Sequence, residues 1–222
     1  MSGARTLLSG KITALRAQTR NRERVNVYLD GAFAFGLPAI IAATLRVGQT
    51  LSESDIQALR ERGDAEQAYE RALSFLTYRP RSTQEVRRYL AGKNIPVGLV
   101  EQTIHRLTEA GLLNDQEFAR YWVENRESFR PRGARALRFE LKGKGVGDQA
   151  IDAATQEVDE DESAYRIARN QALRLRQADR DTFRRRLGGF LTRRGFSYET
   201  VRATVDRLWR ERGSEDGNAG LE

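Results

Sequence analysis

The chain contains no cysteine, one methionine, four prolines and a single histidine, His105. Without cysteine there is no disulfide framework and no thiolate nucleophile, which suits a reducing compartment. His105 has no second His or Cys with which to build a metal site or a catalytic triad, and it reads as a surface or half-buried helix residue. Neither standard spacing of a glycine-rich phosphate loop is present. Gly143-Lys144-Gly145-Val146-Gly147 is glycine-rich but follows no strand, so it reads as a helix terminator. The acidic run of Glu157 and Asp159 to Glu162 lacks the glycine and spaced ligands of a calcium loop and reads as solvated charge. Long apolar runs are missing too. The longest, Ala32 to Ala43, is broken by Gly36 and Pro38 and falls short of the roughly 20 residues that span a bilayer. Met1 to Lys11 has no secretory pattern. These absences lead to the expectation of a soluble, cytoplasmic binding protein: no catalytic residues, no cofactor, no metal and no membrane.

What is abundant is charge. Hydrophobic residues make up 39% of the chain and charged residues 31%, against the roughly 45–50% apolar share of an ordinary globular domain. That balance fits an elongated molecule with a thin core. The net charge is +7, and 34 of the 38 basic residues are arginine. Arginine presents a planar fork suited to phosphates and carboxylates, although a genome rich in arginine codons would produce the same bias. The charge is uneven: +3 over 1–64, +2 over 65–113, −4 over 114–162, +9 over 163–212 and −3 over 213–222. Such asymmetry points to contact with a polyanion or an acidic protein surface.

Residues 1–64 read as a β-hairpin followed by a helix. Asp30-Gly31 between Val25–Leu29 and Ala32–Phe35 is a strong hairpin signal. Ser52 with Asp55 starts a helix predicted to stop at Gly63. From Ala65 onward the apolar spacing is helical and the sequence repeats. Arg79-Pro80-Arg81 returns 51 residues later as Arg130-Pro131-Arg132. The same shift pairs Val86 with Leu137, Leu90 with Leu141, Ile95 with Val146, Val100 with Ile151 and Leu107 with Val158. A further shift of 50 gives Leu187, Leu191, Phe196, Val201 and Leu208, while Ile104, Thr155 and Val205 break the apolar pattern once. The expected fold class is mainly α, with three tandem three-helix repeats at 65–113, 114–162 and 163–212 forming an elongated curved array. First helices are predicted over 66–77, 115–128 and 163–177, and second helices over 83–91, 134–143 and 182–193. One such trio buries little surface alone, so neighbours should stack. The acidic, glycine-rich segment 213–222 is expected to be disordered.

The basic residues are the candidate binding residues. Proline holds the residue before it extended, so Arg79, Arg81, Arg130 and Arg132 project two guanidinium groups at the same place in two repeats, or else bridge back to their own helices. Arg184-Arg185-Arg186 cannot all face a core. Arg185, Lys142, Lys144, Arg193 and Arg194 complete the set. Tyr78, Trp122, Phe129, Tyr198 and Trp209 are interleaved aromatics, read as core and inter-repeat packing in preference to base stacking.

The ordered motifs Tyr78-Arg79-Pro80-Arg81-Ser82, Gly111-Leu112-Leu113-Asn114-Asp115, Trp122-Val123-Glu124-Asn125-Arg126, Arg130-Pro131-Arg132-Gly133, Lys144-Gly145-Val146 and Arg193-Arg194-Gly195-Phe196-Ser197-Tyr198 resemble the RecX family of bacterial regulatory proteins. The resemblance covers roughly residues 65–210; Asn94 stands where a glycine is usual, and the tail is extra. It implies tandem three-helix repeats and a regulator, expected as a monomer, that binds the RecA filament on single-stranded DNA. It implies inhibition of strand exchange, ATP hydrolysis and coprotease activity, and so restraint of DNA repair, recombination and the SOS response. The alternative of a different class is a stand-alone, nonspecific binder of single- or double-stranded DNA.

Overall fold

A computed structural model describes the backbone over residues 9–218 and side chains over 9–213. Most of the segment read for a secretory signal, and residues 219–222 of the tail, lie outside the described residues. The chain divides into two compact units. One takes the residues up to Arg79 with Val86–Leu112; the other takes Pro80–Glu85 with the residues from Leu113 onward.

The first unit begins with β1 (Gly10–Ala17), β2 (Arg24–Leu29) and β3 (Ala32–Pro38), then a short α1 (Ala39–Ala42) and β4 (Thr50–Leu51). The strands pair antiparallel in the order β3-β2-β1-β4. The hairpin forms where it is expected: Asp30 and Gly31 both take positive φ, at 47° and 85°, as a two-residue turn matched to strand twist requires. Alternation sends Ile12, Val27, Leu29, Phe35 and Leu37 into one core with Ile56 and Leu59.

The predicted helix stop at Gly63 is corrected by the structure. Helix α2 runs unbroken from Glu53 to Leu76, opened by a full capping box between Ser52 and Asp55. Gly63 is buried within it, and a Cβ there would stand 2.9 Å from Leu37 Cδ2. The glycine lets the helix press on β3 instead of ending it. The boundary drawn at 64/65 therefore falls inside α2. Its N-terminal half covers the sheet and its C-terminal half, through Ala68 and Ala72, packs on α4.

The remaining helices follow the predicted trios: α3 (Thr83–Ala91), α4 (Val97–Glu109), α5 (Asp115–Phe129), α6 (Ala134–Gly143), α7 (Asp148–Gln156), α8 (Glu160–Leu173), α9 (Arg180–Arg193) and α10 (Tyr198–Asn218). The register positions form the cores. Val86, Leu137 and Leu187 are fully buried, as are Leu90, Leu141 and Leu191. Thr155, the polar exception, is buried and donates its hydroxyl to the Ile151 carbonyl at 2.8 Å, which satisfies it within its own helix.

Two further expectations change. Helix α10 continues through Asn218, so the described part of the tail is helical; Gly213 costs a helix only about 1 kcal/mol and no proline intervenes. In the third repeat the first helix ends at Leu173, earlier than predicted. Ala119 and Val123 on α5 correspond to Ala164 and Ala168 on α8, a shift of 45 where the later helices keep 50. The additional residues lie in the connection to α9, which replaces the Arg-Pro-Arg turn.

Candidate anion-binding cleft between the second and third repeats

Within the second unit one contact recurs. The connection entering a second helix lies on the turn that ends the second helix of the following repeat. Ser82 donates its hydroxyl to the Lys144 carbonyl at 2.6 Å, and Gly133 donates its N–H to the Arg194 carbonyl at 3.1 Å. The approach is close. A Cβ on Gly145 would stand 2.4 Å from Gln84 Cβ, one on Gly195 2.4 Å from Ala136 Cβ, and one on Gly133 2.2 Å from the Gly195 carbonyl oxygen. Gly145 and Gly195 also sit at φ 77° and 83°. Glycine thus answers both the left-handed turn and the neighbour's backbone.

At the second of these junctions four arginines converge. Pro131 is buried, and Arg130 before it leaves the helix at φ −150° and ψ 70°, outside the α region that a following proline disfavours. Arg130 and Arg132 come from this connection, Arg193 from the last turn of α9 and Arg194 from its C-cap. With Phe129 and Ile167 they line a cleft of about 480 Å³. The Arg194 guanidinium lies 4.7 Å from the centroid of the Phe190 ring. Its pKa is held below the ordinary arginine value by burial first, then by the guanidiniums of Arg132 and Arg130.

One carboxylate serves this group. Glu140 Oε2 accepts from Trp122 Nε1 and Arg126 Nε, each at 2.8 Å. Its Oε1 lies 3.0 Å from Arg132 Nε, an ion pair without hydrogen-bond alignment. Glu160 also stands at the junction but accepts from the backbone N–H groups of Ala134 and Ser197. That corrects the reading of the acidic run as solvated charge alone: Asp159 caps α8, and Glu160 fastens two helix starts. Glu140→Ala is expected to lower stability by about 2 kcal/mol, because it leaves an indole N–H and two guanidiniums unpaired. A urea titration followed by tryptophan fluorescence checks this.

The other predicted basic residues sit elsewhere or are engaged. Lys144 is held by Glu85 at 2.7 Å and lies 4.2 Å over the Trp122 ring. It occupies the place that Arg194 takes one repeat later, but the counterpart of Glu85 there is Ala136. That difference, together with Arg193 where the first junction has Gly143, leaves the second junction electropositive. Lys142 pairs with Asp148 at 3.0 Å on the surface. Arg185 is exposed on α9, Arg79 is half-buried in the first unit, and Arg81 is half-buried in the second. His105 is a surface residue 3.1 Å from Glu109. Gly145 ends α6, as the terminator reading requires.

The aromatic reading needs correction. Trp122 and Trp209 pack against the cores, but Tyr78, Phe129 and Tyr198 are 83%, 77% and 79% exposed. Phe129 is the last residue of α5, past Val123, where that helix leaves its core. Phe129, Ile167 and Glu140 were not among the predicted site residues. The signal for Phe129 was its place before Arg130-Pro131-Arg132, matched by Tyr78 before the first such turn.

Four descriptions of one family match this chain in order. The N-terminal domain of the regulatory protein RecX matches residues 10–52. The first, second and third three-helix domains of RecX match residues 68–107, 114–154 and 159–205. The chain belongs to the RecX family. The regulatory protein RecX of Bacillus subtilis strain 168 is 32% identical over 202 residues, covering 89% of this chain and 76% of the relative. That of Streptomyces coelicolor is 34% identical over 178 residues, covering 79% and 95%. A crystal structure of regulatory protein RecX superposes with a TM-score of 0.70 at 28% identity, covering 88% of this chain and 98% of that one. The structure of RecX from Lactobacillus salivarius, at 23% identity and a TM-score of 0.61, shares the fold. Within the RecX framework the departure at Asn94 has a physical reason. Asn94 takes φ 58° and is exposed, so it meets the left-handed requirement without the close approach that excludes a Cβ at Gly145 and Gly195.

Proposed function

We propose that this RecX family member docks on the RecA–single-stranded DNA filament and inhibits its recombinase, ATPase and coprotease activities. It would thereby modulate DNA repair, recombination and the SOS response in the cytoplasm, as a monomeric binding protein without catalysis or cofactor. The relatives are named regulatory proteins, which supports a binding role. The observation that carries the reading is the cleft of Arg130, Arg132, Arg193 and Arg194, whose positive charge the chain's own carboxylates leave largely uncompensated. A filament of recombinase on DNA offers both acidic protein surface and phosphate to such a group. Binding that favours one filament state shifts the filament toward it by differential affinity. Among the described residues no helix is long and apolar enough to cross a membrane.

The test is a titration of the chain into RecA filaments on single-stranded DNA, reading ATP hydrolysis. Progressive inhibition is expected. Unchanged hydrolysis at saturating protein contradicts the reading.

A further inference from the structure

Four guanidiniums around one concave cleft repel each other unless an anion joins them. Glu140, the carboxylate that reaches them, is shared between Arg126 and Arg132, and Glu160 is engaged by backbone N–H groups. Arg130 and Arg193 have no ion-pair partner among the described residues and are exposed. Guanidinium forks match phosphate oxygens well. The rim adds a second feature. Phe129 is 77% exposed and lines the same cleft as the arginines. An acidic protein surface has no use for a bare aromatic face there. A single strand does, since it carries an unpaired base one backbone step from each phosphate. The cleft also straddles the repeat junction: two arginines come from the connection before α6 and two from the end of α9, beside the Gly133–Arg194 hydrogen bond.

We propose that this cleft takes a phosphate of a single-stranded polynucleotide, with the adjacent base stacked on Phe129, and that the bound phosphate ties the second repeat to the third. The proposal rests on the filament reading for where the strand is met, and it is tested without the filament. Fluorescence anisotropy with a short labelled oligothymidylate at low salt, in the absence of recombinase, gives the affinity. Arg130→Gln with Arg193→Gln should weaken it at least about tenfold and flatten the log–log salt dependence by about 1. Phe129→Ala should weaken it about tenfold while leaving an abasic strand of the same length bound as before. Hydrogen exchange at the Gly133 amide should slow when the strand is bound. Thermal melting confirms that each variant is folded.

Equal binding by wild type and the folded arginine variant overturns the proposal. So does an equal loss on both strands for Phe129→Ala, or competition by pyrophosphate or ATP as effective as the strand at equal phosphate concentration. The two readings fail separately. A wild-type chain that inhibits filament ATPase but binds no oligonucleotide removes this inference alone; one that binds oligonucleotide without inhibiting removes the filament reading.

Discussion

Gly195→Ala is expected to destabilise the second unit by about 2–4 kcal/mol, the sum of a left-handed backbone penalty and an overpacking term. At φ 83° the new Cβ would stand 2.4 Å from Ala136 Cβ and 2.7 Å from Ala136 N. The second distance is to backbone, so no side-chain rotation relieves it. Either the turn after α9 unwinds or α6 is pushed away, and in both cases the Gly133–Arg194 hydrogen bond is lost. Asn94→Gly, at the corresponding turn of the first repeat, is the control. Asn94 is exposed at φ 58°, and its replacement should change stability by less than about 1 kcal/mol. Urea unfolding followed by tryptophan fluorescence reads both. A Gly195→Ala protein as stable as Asn94→Gly would show that the junction is not packed as described.

The second large effect is functional. Arg130→Glu combined with Arg193→Glu is expected to reduce inhibition of RecA filament ATPase at least about tenfold, with melting temperature nearly unchanged. The reversal removes two positive charges from the cleft and adds two negative ones. Buried or closely apposed charge pairs of the wrong sign cost an interface several kcal/mol. Both side chains are exposed and neither is in an ion pair among the described residues, so folding should tolerate the change. Reversing Arg132 instead would be a poorer test. It would set a second carboxylate against Glu140, which already holds Arg126 and Trp122, and would confound binding with stability. A folded Arg130→Glu, Arg193→Glu variant that inhibits as well as wild type would remove the cleft from the binding surface.

Much of the fold is legible in the sequence because each trio repeats a simple physical pattern. Leu137 and Leu187 can be placed in cores from Val86 by spacing alone, and all three are fully buried. The hairpin is legible because Asp30-Gly31 has one cheap conformation between two apolar strands. Gly63 was misread because a helix-ending glycine and a close-packing glycine are the same letter; only the position of Leu37 tells them apart. The helical tail was misread because its polar composition describes solvation, while helix α10 had no reason to stop.

The site was legible in part. Arg-Pro-Arg turns marked the right connection, and Arg193-Arg194 marked the right helix end, but no spacing rule places residues 130 and 193 around one cleft. That depends on which turn rests on which connection, a tertiary fact set by Gly133 and Gly195. Nor does composition reveal that Lys144 is neutralised by Glu85 while Arg194, with Ala136 at the position corresponding to Glu85, is in no ion pair among the described residues.

The central claim is that this chain recognises the filament and not DNA alone. The most direct measurement compares its affinity for RecA–single-stranded DNA filaments with its affinity for the same bare strand, at one salt concentration. Binding to the filament should be at least about tenfold tighter and should fall less steeply with salt than binding to the bare strand, since phosphate contacts supply only part of it. Equal affinities with equal salt slopes would contradict the account and leave a stand-alone DNA-binding protein.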